Sequence, residues 1–385
     1  MKKRKICVII TARPSYSRVR TALIAINNHP ELELQLVVAA SALLDRYGST
    51  INYIEADGFK IAEKVYMIIE GATLTSSAKT TGIGIMELAT TFDNLKPDMV
   101  CTIGDRYETM ATAIAASYMN IPLVHIQGGE VTGNIDEKVR HAITKLSDLH
   151  LVSNDDAKQR LIKMGEYEDK IHITGCPSID IAKQVKDEPE LDFDPCQKYG
   201  GVGKYIDPTK DYIVVMQHPV TTEFEMAKSQ AETLINVIHD MNVPVFWFWP
   251  NPDAGSDGTS NALRSYREEH PDNHIRFFKN LEGADFLKLL YHSKCLIGNS
   301  SVGIRECSYL GIPVVNIGSR QNRRLRGKNV LDTGYEAEVL KSAVMSQIAH
   351  GRYPEENLYG NGNAGNDIAN ILAVAGTEIK KVISY

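Results

Sequence analysis

The chain has 385 residues, a formal net charge of −6, 43% hydrophobic and 23% charged residues. That length exceeds one ordinary core and predicts two domains, each burying its own apolar interior. The mildly acidic balance argues against a broad nucleic-acid-binding face and leaves room for a local basic pocket that receives a phosphorylated small molecule.

The start, MKKRKICVII, has the basic residues of a signal segment but only a short apolar run before Thr11. No stretch approaches the roughly 20 apolar residues of a membrane span, so the expectation is a cytoplasmic protein without a membrane partner. Cys7, Cys101, Cys176, Cys196, Cys295 and Cys307 form no CxxC pair, and three of them lie in apolar runs. They read as reduced, structural thiols.

Along the first half, KICVII, LQLVV, DMVCTI, PLVHI, LHLVS and IHITG are short runs rich in Val and Ile. Segments of helical periodicity such as TMATAIAASYMN and KVRHAITKLSDL separate them, the alternation of βαβ units in a parallel sheet. The second half repeats the scheme with YIVVMQHP, PVFWFWP, HIRFFK, KCLIGNS and PVVNIG. The expected fold is therefore α/β, with Rossmann-like domains over residues 1–185 and 206–365. Residues 186–210 read as a linker, since they are charged, carry Pro and Gly and show neither periodicity. A helical pattern over 366–385 follows a Gly/Asn-rich break and is able to pack back on a domain. Ligands of doubly wound sheets bind at the carboxyl ends of strands, so the motifs of interest should directly follow strands.

In GDRYE, after DMVCTI, Asp105 could act as a base or orient one and Arg106 could meet phosphate; Asp105 as a helix N-cap is an equally good reading. TARPSYSRV, after the first strand, offers Arg13 and Ser17 for phosphate but lacks GxGxxG, which argues against a bound NAD. GNSSVGIRE predicts a strand, a turn and a helix whose N-terminus binds an anion, with Ser300 and Ser301 as further donors and Glu306 placed to accept from ribose hydroxyls. His218 follows the strand YIVVM, where an imidazole can donate to phosphate or move a proton. The stretch HIQGGEVTGNIDEKVRHAITK has no zinc-ligand spacing, so no metal is expected. On a helix starting near Asp136, the pairs Asp136/Arg140 and Glu137/His141 are i,i+4 neighbours, which accounts for part of its charge. Glu130, in the Gly-flanked turn before that helix, is not explained in this way.

Taken together, GDRYE, HIQGGEVTGNIDEKVRHAITKL, TGCPS, QHPVTT, PNPDAGS, IGNSSVGIRE and NIGSRQ resemble the UDP-N-acetylglucosamine 2-epimerase family, in particular its hydrolysing branch. The resemblance runs in order from Arg13 to the GNGNA segment. It implies a glycosyltransferase-B-like architecture, two Rossmann-like domains around a cleft, with the C-terminal helix returning to the first domain. It also implies a reaction without metal or other cofactor: UDP-GlcNAc and water give UDP and N-acetylmannosamine through a 2-acetamidoglucal, in a homodimer or homotetramer. Position by position, it implicates Asp105, Asp136 and His218 in catalysis or its support. Arg13, Ser17, Arg106, Asn251, Ser300, Ser301, Glu306 and Arg320 are implicated in nucleotide-sugar binding. Many relatives carry Glu where this chain has Gln127, and an amide moves no proton at neutral pH. The proton role of that Glu is then absent or falls to Glu130; the expectation is Glu130 with Asp136, with Gln127 as a positioning hydrogen-bonder. Two alternatives stand: a hydrolysing epimerase of a UDP-2,4-diacetamido-2,4,6-trideoxyhexose, and a non-hydrolysing UDP-GlcNAc epimerase.

Overall fold

The computed structural model describes residues 2–45, 48–70, 73–131, 135–250 and 255–383; Asn251 lies outside them, and so does the side chain of Asp136. The chain divides into two compact units, one formed by the described residues of 1–131, 135–180 and 359–385, the other by those of 181–358.

The first unit contains strands β1 (Arg4–Ile10), β2 (Leu32–Ala39), β3 (Ile61–Val65), β4 (Met99–Ile103), β5 (Leu123–Ile126), β6 (Leu149–Val152) and β7 (Ile171–Ile173). Between them run α1 (Arg13–Asn28), α2 (Thr50–Ala56), α3 (Leu74–Leu95), α4 (Tyr107–Tyr118), α5 (Ile135–Leu146) and α6 (Asp155–Lys163). The strands form one parallel sheet in the order β3-β2-β1-β4-β5-β6-β7. Continuous Val/Ile runs suit it because its central strands are covered on both faces. On α1, Tyr16, Val19, Ala22, Leu23 and Ile26 recur at helical spacing and are all buried.

The chain continues through α7 (Pro177–Asp187), α8 (Pro195–Tyr199), β8 (Val202–Gly203), β9 (Ile213–Met216), α9 (Ala227–Met241), β10 (Val245–Phe248), α10 (Ser256–Glu269), β11 (Ile275–Phe278) and α11 (Gly283–Tyr291). Then follow β12 (Leu296–Gly298), α12 (Ser301–Ile304), α13 (Glu306–Leu310), β13 (Val314–Ile317), β14 (Val330–Thr333), α14 (Ala337–His350) and α15 (Ala364–Val374). The second sheet has the order β14-β13-β12-β9-β10-β11-β8 and is parallel except for β8, which pairs antiparallel at the edge.

Helix α15 belongs to the first unit. Its Ile368, Ala369 and Leu372 share a core cluster with the buried face of α1. No residue of its own caps α15; instead the Asp180 carboxylate accepts the Ala364 and Gly365 amides at 2.8 and 2.7 Å, and also the Thr21 hydroxyl at 2.8 Å. Arg4 reaches the other end and donates to the carbonyls of Leu372 and Ala375. The helix expected over 366–385 thus stops at Val374. The segment 186–210, expected to be a linker, carries α8 and the edge strand β8; two residues are too few to show a period.

In both sheets the order reverses once, between β1 and β4 in the first and between β9 and β12 in the second. Such a reversal opens a crevice outside the carboxyl ends of the strands, where doubly wound folds bind ligands. Among the described residues no helix is long and apolar enough to cross a membrane.

Candidate functional site

On the first sheet, β1 ends into Thr11–Arg13, β4 into Gly104–Arg106, β5 into Gln127–Glu130, β6 into Ser153 and β7 into Thr174–Cys176. Because the strands are parallel, all five segments lie along one edge. Glu130 is 8% exposed, and one of its carboxylate oxygens accepts from the Ser153 hydroxyl at 3.1 Å. The turn leading to it has little freedom: a Cβ on Gly129, at φ +76°, would stand 2.4 Å from Leu161 and 2.6 Å from the Ala157 carbonyl.

Arg140 joins two of these segments. It is 1% exposed; its guanidinium donates to the Glu130 carbonyl at 2.7 Å and pairs with the Asp105 carboxylate. Beyond any pairing with Asp136, whose side chain lies outside the described residues, this guanidinium points into the site and fixes the turn that carries Glu130. The N-cap position of α4 is occupied by Arg106 and not by Asp105, whose carboxylate supplies the counter-charge a buried guanidinium requires. The i,i+4 pair Glu137/His141 does form, at 3.4 Å. Asp136 stands in the first turn of α5.

The binding candidates on this unit are less uniform. The Arg106 guanidinium turns to Glu108, which is fully buried, at 3.1 Å. Arg13 opens α1 with its guanidinium 4.6 Å from the Tyr53 ring centroid, and Ser17 is exposed one turn further on.

His125 is structural. Its Nε2 donates to the Gly104 carbonyl at 2.8 Å and its Nδ1 accepts from the Thr144 hydroxyl at 3.1 Å, tying β5 to the β4 turn. Burial pushes its imidazole down to about 3. His150 is lowered too, chiefly by burial. Its partner Glu166 falls to about 2: burial opposes the shift, but hydrogen bonds from His150, Lys145 and Lys381 overcome it.

Since the unfolded chain protonates these imidazoles near 6.5 and the fold holds both below that value, their contribution to stability is complete above pH 6.5 and declines as pH falls, for His125 down to about 3. Each such histidine removes up to about 1.4 kcal/mol per pH unit. Below about 4.5 Glu166 adds a loss of the same sign. The urea midpoint is expected to be lower at pH 5.5 than at pH 7.5; equal midpoints would mean the imidazoles are charged in the fold.

On the second sheet the edge is formed by Gln217 and His218 after β9, Trp249 after β10, Asn299–Ser301 after β12 and Gly318–Arg320 after β13. Gly298 permits it: at φ +130° a Cβ there would lie 2.2 Å from the Met216 carbonyl of the neighbouring strand. Asn299, fully buried, holds His218 by both main-chain groups, accepting its N–H and donating to its carbonyl at 2.8 Å each. The Asn299 carbonyl in turn accepts from Gln321 at 2.8 Å and from Arg320 at 3.2 Å. Burial, with Arg320 adding to it, holds the His218 imidazole well below its ordinary value. It is neutral at pH 7 and offers a hydrogen bond rather than a positive charge.

The helix expected after GNSS is only partly there. Helix α12 has four residues, and the backbone breaks at Arg305 before α13 begins at Glu306. A full macrodipole is therefore absent, and what remains is the Ser301 hydroxyl, the local amides and Ser300, which caps Val302. Glu306 Oε2 is buried and has no hydrogen-bond partner among the described residues. Arg140, Asn299 and Ser153 were not singled out from the sequence; Asn299 stands inside GNSS, whereas nothing local marks the other two. Among the described residues no cluster of His, Cys, Asp or Glu could hold a metal ion.

Two doubly wound units, each with polar and ionisable side chains at the reversal of its sheet, define a glycosyltransferase-B-like protein. A solved Methanocaldococcus jannaschii UDP-GlcNAc 2-epimerase, in complex with UDP-GlcNAc and UDP, has the same fold: TM-score 0.78, 18% identity, 96% of this chain and 99% of that one covered. The profile of UDP-N-acetylglucosamine 2-epimerase matches residues 24–373, and the chain belongs to that family. It is 34% identical over 369 residues to the Legionella pneumophila UDP-N,N'-diacetylbacillosamine 2-epimerase (hydrolyzing), covering 96% of this chain and 95% of the relative. With a UDP-N-acetylglucosamine 2-epimerase of Neisseria meningitidis it shares 32% over 361 residues, 94% and 92% of the two chains.

Proposed function

We propose that the protein is a hydrolysing UDP-GlcNAc 2-epimerase that converts UDP-GlcNAc and water into UDP and N-acetylmannosamine. The observation that carries this reading is Glu130: a buried carboxylate in a rigid turn at the ligand edge of its sheet, braced by Ser153 and by the Asp105–Arg140 pair.

In this scheme a carboxylate removes the C2 proton while the C1–O bond to UDP breaks, which leaves 2-acetamidoglucal. Water then adds at C1 as C2 takes a proton on the opposite face. Glu130 and Asp136 are the two proton carriers, and Asp105 supports them through Arg140. His218 supports catalysis; Arg13, Ser17 and Arg106 of the first unit, and Asn251, Ser300, Ser301 and Arg320 of the second, bind the nucleotide sugar, with Glu306 on the ribose. Neutralising the departing diphosphate lowers the barrier to C1–O cleavage.

A second reading keeps the chemistry and changes the sugar to a UDP-2,4-diacetamido-2,4,6-trideoxyhexose. The likeness to the Legionella enzyme favours it. Incubation of the purified protein with each UDP-sugar, with products followed by 31P NMR, tests both. Free UDP from UDP-GlcNAc is the expected result; release from the diacetamido sugar alone selects the second reading; an intact UDP-linked epimer overturns hydrolysis.

A further inference from the structure

The segment TGCPS has no part in the scheme above. Cys176 follows β7 on the same carboxyl edge as Gln127, and the two side chains meet: Gln127 Nε2 donates to Cys176 Sγ at 3.0 Å. The sulfur lies 3.0 Å from the Ser178 hydroxyl, so amide, thiol and hydroxyl form a short chain. Gln127 is 2% exposed and its backbone stands at φ +64°, in the left-handed region that residues other than glycine rarely adopt. Its main-chain N–H is held by the Leu151 carbonyl at 2.9 Å. Its Oε1, however, is buried and has no hydrogen-bond partner among the described residues.

An unmatched buried carbonyl beside a strained backbone is costly, and both persist where function uses them. We infer that Cys176 is a positioning residue: with Ser178 it holds the Gln127 amide nitrogen on its sulfur, leaving Oε1 as an open acceptor for an O–H or N–H donor on the substrate's sugar. A carbonyl oxygen only accepts, and an ionised diphosphate offers no donor, so the contact is not to the phosphates. Gln127 stands three residues before Glu130 on the unit carrying the proposed proton carriers, which points to the hexosamine ring. The inference rests on the nucleotide-sugar reading.

The test uses the full chain and the UDP-sugar that the wild type turns over, and compares KM and kcat with the affinity for UDP alone. Cys176→Ala is expected to raise KM for the UDP-sugar about tenfold while UDP affinity stays unchanged, and Cys176→Ser to restore KM to within about threefold. Gln127→Met, similar in volume but with no acceptor, is expected to reproduce the Cys176→Ala effect or exceed it, and it decides the matter should Cys176→Ala fail to fold. Kinetics of Cys176→Ala or Gln127→Met within twofold of wild type would overturn the inference. So would an equal loss of UDP affinity, the mark of a general structural role. A wild type that binds UDP but neither binds nor turns over a UDP-sugar would overturn the functional reading and this inference together, whereas wild-type turnover with insensitive variants would overturn only the latter.

Discussion

Glu130→Gln is expected to lower kcat about a thousandfold while leaving the affinity for UDP unchanged, because a positioned acid/base group contributes roughly a hundred- to ten-thousandfold to proton transfer. The substitution keeps the side chain's shape and an oxygen that still accepts from Ser153 Oγ, now 3.1 Å away. It leaves untouched the main-chain carbonyl that Arg140 holds at 2.7 Å. Fold and melting temperature should therefore change little, and the loss should fall on the chemical step. Steady-state kinetics with a UDP titration measures it. Turnover near that of the wild type would remove Glu130 from the proton pathway and leave Asp136, with Asp105, as the acid/base pair.

The largest loss of stability is expected from Asn299→Leu. The asparagine is fully buried, and its two side-chain hydrogen bonds are the ones that satisfy the main-chain N–H and carbonyl of His218. Leucine has the same branching and the same number of side-chain heavy atoms and offers neither group. Each buried main-chain group left unpaired costs about 1–3 kcal/mol, so the second unit should lose about 2–6 kcal/mol. The same two bonds link the ends of β9 and β12 at the reversal of the sheet, so UDP affinity should fall as well. Urea unfolding and calorimetric UDP titration report the two effects separately. Unchanged stability would show that water or a repacked neighbour satisfies His218 without Asn299.

The architecture was legible in the sequence because its strands are buried parallel strands: KICVII, DMVCTI and YIVVM read as continuous apolar runs, and they became β1, β4 and β9. The strands that escaped notice lie toward the edges. In β3, Ile61–Val65 buries only Val65 fully and carries the exposed Glu63 and Lys64; β14, Val330–Thr333, is partly exposed throughout. Their sequences lack the apolar continuity that marks the others.

The candidate site was legible where a polar side chain directly follows a strand. Glu130 drew attention because no pattern of helix pairing explained it. Arg140 did not, since its place four residues after Asp136 already had an adequate explanation, and burial against two loops distant in sequence leaves no local trace. The break at Arg305 was equally hidden: SVGIRECSYL contains no proline, and its only glycine, Gly303, packs a would-be Cβ 2.9 Å from Val314 in the fold. Close packing there, not a local stop signal, accompanies the interruption.

Proton removal at C2 followed by rehydration, with free sugar as product, is tested by turnover of UDP-GlcNAc in deuterated water with NMR of the sugars. The expected products are free UDP and free N-acetylmannosamine carrying deuterium at C2. Free N-acetylmannosamine with protium at C2, or a UDP-linked product, would contradict this chemistry.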